Sequence, residues 1–120
     1  MNKLLIIGAV AFFSATSASA MDVATFLAKG RALMARGAGA VLAPEFREIQ
    51  GEIQASVIAL RRQRLRAVRA NRRPPYCPSA GAGLSSEEIQ AAMLAVPVAQ
   101  RRQVQVKEAI AAAFARKYPC

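Results

Sequence analysis

Hydrophobic positions recur at helical spacing along most of the chain, and no stretch alternates for long enough to read as a strand. Val23, Phe26, Leu27, Leu33 and Met34 share one stripe, with Gly30 passing through it, behind an Asp22 suited to an N-cap. The pattern predicts a first helix from Asp22 onward, stopped at Gly37, with Gly37 and Gly39 as a flexible joint. The second and longest helix opens on Pro44, with Glu45 and Glu48 at the positive end of its dipole. Phe46, Ile49, Ile53, Val57 and Leu60 make its apolar stripe, which drifts to Leu65 and Val68 as arginines crowd in. Neither Gly nor Pro interrupts from Ala55 to Arg73, so this helix is expected to reach about Asn71 and to be about 40 Å long.

Pro74-Pro75 ends it and begins a loop over Pro74–Gly83. Ser85 and Glu88 have capping-box spacing, and Leu84 and Ile89 stand where a hydrophobic staple would, which starts a third helix with Ile89, Met93 and Val96 inward. Pro97 breaks it, and a fourth helix is predicted over Val98–Lys117, with Val106, Ile110, Ala113 and Phe114 inward. The expected fold is all-α, a small bundle of about four helices with one disulfide.

The first 20 residues follow a different pattern. Lys3, the apolar run Leu4–Phe13 and the small residues Ser14–Ala20 have the three parts of a secretory signal, and Ala18-Ser19-Ala20 is an A-x-A cleavage site. Ten apolar residues are too few to span a bilayer, which takes about 20. The expected organisation is therefore a cleavable signal peptide over 1–20, cut between Ala20 and Met21, and a single helical domain over 21–120. The expected address is the bacterial periplasm or the medium. Setting Lys3 aside leaves 16 basic residues against 7 acidic ones, a net charge of +9, which attracts anionic partners without specifying a fold.

An exported chain meets an oxidising compartment, and this one has only two cysteines. Cys77 and Cys120 are therefore expected to bridge each other. Two cysteines and no histidine make a poor metal site, and no metal or other cofactor is expected.

Arg61, Arg62, Arg64, Arg66, Arg69, Arg72 and Arg73 fall within 13 residues that contain no acid. On a continuous helix Arg62, Arg66, Arg69 and Arg73 would share a face, with Arg61, Arg64 and Arg72 on its flanks. Three readings fit the run. It can be a solvated face whose aliphatic stems cover apolar surface. It can be a docking surface for an acidic protein, because the guanidinium fork suits carboxylates. It can also bind a polyanion of the cell envelope, such as lipopolysaccharide, anionic lipid or nucleic acid. Nucleic acid fits least well, since Tyr76 and Tyr118 are the only tyrosines and Trp is absent, leaving few stacking platforms.

Catalysis has little to work with. Without histidine, acid–base chemistry would fall to carboxylates, and Glu45, Glu48, Glu52, Glu87 and Glu88 all have structural roles as dipole or capping charges. Ser56, Ser85 and Ser86 have no evident base, so the expectation is a binding protein and not an enzyme.

Tyr76-Cys77-Pro78, a short loop, a capped helix ending at Pro97 and a helix closing on Tyr118-Pro119-Cys120 together resemble the immunity proteins paired with type VI secretion amidase effectors. The resemblance covers Tyr76–Cys120 together with the signal. It departs at Glu52–Arg62, which lacks the further cysteines and the Cys-x-Gly-Tyr motif that many members carry. It implies a helical periplasmic inhibitor, often a homodimer, that blocks the cleft of a secreted peptidoglycan amidase. The periplasmic acid-stress chaperones are a more distant comparison, and their carboxylate-rich chains differ from this basic one.

Overall fold

The computed structural model describes residues 20–120, so the predicted signal lies outside the described residues except for Ala20. Four α-helices build the fold: α1 (Val23–Arg36), α2 (Pro44–Arg69), α3 (Ser86–Leu94) and α4 (Val106–Lys117). No strand occurs among the described residues. The all-α bundle and its single disulfide are as the sequence predicts.

Local chemistry accounts for most boundaries. The Asp22 carboxylate accepts from the Thr25 N–H at 2.7 Å, capping α1. Gly37, in the left-handed region with φ 59°, ends it. The expected flexible joint is instead a 3-10 helix over Gly37–Leu42. Ala43 is extended, as a residue before proline must be, and Pro44 starts α2 at its first turn. Ser85 and Glu88 exchange both bonds of a capping box, 2.7 and 3.1 Å, at the start of α3.

Helix α2 stops two residues earlier than expected. Asn71 takes φ 52°, its N–H bonds the Val68 carbonyl at 3.1 Å, and the Arg72 N–H bonds Ala67 at 2.8 Å. This pair of bonds is a Schellman cap with asparagine in the left-handed position usually held by glycine.

Helix α4 starts eight residues later than expected. Val98–Gln100 forms a short 3-10 turn, and Val104–Val106 bond to the chain ahead of α1. The Val23 N–H donates to the Val104 carbonyl (2.9 Å) and the Val106 N–H to the Met21 carbonyl (3.0 Å), an isolated antiparallel bridge centred on Asp22 and Gln105. Backbone groups committed to this pairing cannot also serve a helix. Arg101 closes α3 from the same segment, bonding the Val96 and Leu94 carbonyls at 2.9 and 3.2 Å.

Helix α2 packs against α1 and α4, and α3 packs against α4. Val23, Met93, Val106 and Ile110 are the fully buried side chains at the centre. Ala92, Ala109 and Ala113, also buried, are small enough to bring α3 and α4 close. The inward stripe of α2 runs through Ile49, Ile53, Ser56 and Leu60; the predicted Val57 is 37 % exposed, displaced by the buried Ser56 beside it. Met34, predicted inward on α1, is 71 % exposed. No helix of the described residues is long and apolar enough to cross a membrane.

Candidate functional site

The arginine run occupies the last turns of α2 and the turn that follows. Arg61, Arg62, Arg66 and Arg69 project from the helix and are exposed, as are Arg72 and Arg73 beyond it. Because the Schellman cap at Asn71 turns the chain, Arg73 does not continue the helical face predicted for it. Arg62, Arg66 and Arg69 keep that face, at spacings of four and three residues.

Arg64 does not belong to this surface. It is only partly exposed, its Nε is buried without a hydrogen-bond partner, and its guanidinium lies 5.8 Å from the centre of the Tyr76 ring. Tyr76 is buried and stacks on Phe114 at 4.9 Å, and Phe114 meets Tyr118 at 6.2 Å. The Lys117 ammonium lies 5.5 Å from the Tyr118 ring centre. A cation at each end therefore closes a row of three aromatic rings that joins α2 to α4, and each cation is attracted to the negative ring face.

The disulfide lies beside this row. Cys77 and Cys120 are bonded, with Cα atoms 4.9 Å apart, and the Cys77 N–H donates to the Tyr118 carbonyl at 2.8 Å. The Tyr118 hydroxyl holds the far end of the loop, donating to the Gly83 carbonyl (3.1 Å) and accepting from the Gly83 N–H (3.0 Å). Lys117 reaches the same carbonyl at 2.9 Å and pairs with Glu88 at 2.9 Å. This contact, with help from the Ser85 N–H, holds the Glu88 carboxyl below its usual range and raises Lys117 above its own. The loop is thus fixed at both ends, and the arginine turn is set against a rigid base.

Three bases are ion-paired among the described residues, and Arg31, Arg47, Arg102, Lys107 and Arg116 stand unpaired like the arginine run, which differs from them in its density. Lys29 pairs with Glu48, Arg36 with Glu45 and Lys117 with Glu88. Among the described residues no ion pair involves any of the seven arginines from Arg61 to Arg73. The other carboxylates are engaged elsewhere or distant in sequence: Asp22 caps α1, and Glu52 accepts from the Met21 N–H at 3.2 Å. The negative end of the α2 dipole offsets part of the repulsion between the arginines. The rest is left for counterions or a partner.

Sequence reasoning missed Arg101 as a cap, Tyr76 as core and Arg64 as its cation. Only the Tyr76 placement had a local signal, an aromatic residue next to the bridging Cys77. No protein-family model matches the chain, and no curated protein or solved structure shows significant similarity to it.

Proposed function

We propose that this is an exported periplasmic binding protein that uses Arg61, Arg62, Arg66, Arg69, Arg72 and Arg73 to dock an acidic protein. In this reading it acts as an immunity-type inhibitor, occluding a secreted peptidoglycan amidase. The observation that carries it is density: six exposed arginines at the end of α2 fall within 13 residues that contain no acid, and none of them is ion-paired among the described residues. A surface of this kind speeds encounter with an acidic partner and rejects basic ones, while affinity is set by how well the desolvated contacts fit. The signal-like residues 1–20, the Cys77–Cys120 bridge and the Tyr76–Cys120 punctuation support the periplasmic and immunity parts of the reading.

The test is stoichiometric inhibition of a secreted peptidoglycan amidase, sought first in the genes neighbouring this one, measured on purified peptidoglycan. The wild type should inhibit at one equivalent. The Arg62→Gln/Arg66→Gln/Arg69→Gln variant should lose at least about tenfold in affinity, the equivalent of one charge-assisted contact. Absence of inhibition defeats the immunity reading. The polyanion reading takes its place if the same variant instead loses binding to lipopolysaccharide or anionic vesicles, with affinity falling steeply as salt rises.

A further inference from the structure

The inner stripe of α1 has a gap at its middle. Side chains fill it on either side, but position 30 is glycine, and a Cβ built there would meet no atom within 4 Å. A glycine inside a helix costs about 0.5–1 kcal/mol relative to alanine. No close approach of another element requires it here. The space continues into a groove of about 520 Å³ between α1, α2 and α3, walled by Leu27, Met34, Phe46, Ile53, Ile89 and Leu94 among others. Arg31 is the one charged residue lining it. Its neighbours on α1, Lys29 and Arg36, are paired with Glu48 and Glu45, while Arg31 is exposed and has no ion-pair partner among the described residues.

We propose that this groove binds a single-chain anionic amphiphile, a fatty acid, with its hydrocarbon along the apolar walls and its carboxylate on Arg31. Its volume lies within the range of small-ligand sites, roughly 300–1,000 Å³. The guanidinium fork matches a carboxylate, and apolar walls with one cation at the rim match an amphiphile. A second copy of the chain seated on the same groove is the competing occupant, and the sedimentation measurement below distinguishes it. The site is separate from the arginine face and does not depend on the function proposed for it.

Protein expressed from the full reading frame is titrated calorimetrically with dodecanoate, and with 1-dodecanol as the uncharged counterpart. Dodecanoate should bind one to one. Arg31→Gln should weaken it about tenfold, the loss of one charge-assisted contact, while changing dodecanol by less than about twofold. Gly30→Leu should abolish binding of both without loss of helix content, and Gly30→Ala, the milder filling, should give an intermediate loss. The proposal is overturned if dodecanoate fails to bind, if Gly30→Leu binds it like wild type, or if sedimentation shows a dimer that Gly30→Leu dissociates.

Discussion

Replacing both Cys77 and Cys120 by serine isolates what the bridge contributes. The two residues are 43 apart in sequence, so the bond closes a loop of 44 residues. The chain-entropy relation gives about 4 kcal/mol for a loop of that length at 25 °C. Packing adds little to this figure, because both cysteines are exposed and lie outside the buried cluster. The contacts that flank them, Cys77 to Tyr118 and Tyr76 on Phe114, do not need the sulfurs. For a domain of this size about 4 kcal/mol lowers Tm by roughly 15–30 °C, a large share of the 5–15 kcal/mol that such domains hold. Urea unfolding followed by far-UV circular dichroism measures it, on wild type with and without reductant and on the double variant. Reduced wild type and the variant should coincide, and their m-values should exceed that of the oxidised protein because the open chain exposes more surface. A loss below about 1 kcal/mol in both would refute the loop-entropy account; the aromatic row and the Gly83 clamp would then hold the segment in place unaided.

Ile110 is fully buried at the centre of the bundle, and Ile110→Ala should cost about 2–5 kcal/mol in the same urea assay, with the spread set by how far the neighbours collapse. The pH profile of Tm should be flat at neutral pH and fall at both ends. Asp22, chiefly through the Thr25 N–H, and Glu88, chiefly through Lys117, titrate below their ordinary values of 3.8 and 4.5. Their contribution is complete above those values and is lost as pH falls through the lowered ones. Lys117, raised above 10.5 by Glu88, contributes below that value and is lost as pH rises past it. Glu88→Gln should flatten the alkaline fall and part of the acid one, and an unchanged profile would contradict the assignment. Cleavage after Ala20 would convert the Met21 N–H that donates to Glu52 into an ammonium. Chain beginning at Met21 should then be more stable than uncleaved chain by about 0.2–1 kcal/mol, and Glu52→Gln should erase that difference.

What could be read in advance was local. Asp22, Pro44, Ser85 with Glu88, and Pro97 each act on the backbone within a turn, and each sits where its chemistry demands. The misplacements came from partners distant in sequence. Val98–Gln105 has the composition of a helix, but its last residues are drawn into a pairing with Met21–Val23. Val57 fits the apolar period of α2 as well as Ser56 does. Its exposure was set by the packing of α1 and α4 against α2, where Ser56 takes the buried place. Arg64 is indistinguishable in sequence from its six neighbours until Tyr76 is placed beneath it. For the candidate site, position and sign were therefore legible, whereas membership and the loss of Arg73 from the helical face were not.

The distribution of acids explains why the arginines remain as a site. Seven carboxylates serve the whole chain, and Asp22, Glu45, Glu48, Glu52 and Glu88 are engaged with α1, with Met21 or with the loop before α3. Glu87 lies in the first turn of α3 and Glu108 in that of α4, where the helix dipole favours a negative charge. All seven thus have structural work at helix starts or across the α1–α2 contact. Pairing the arginines internally would have required an acid on the C-terminal half of α2 or on the loop after it, and no residue from Ile53 to Ser86 is acidic. A fold stabilised by its own salt bridges would be expected to share its acids more evenly. The uneven allocation leaves the densest positive cluster at the end of α2, and the solvated alternative predicts a specific result: Arg62→Gln/Arg66→Gln/Arg69→Gln should raise stability by relieving repulsion and leave every binding measurement unchanged.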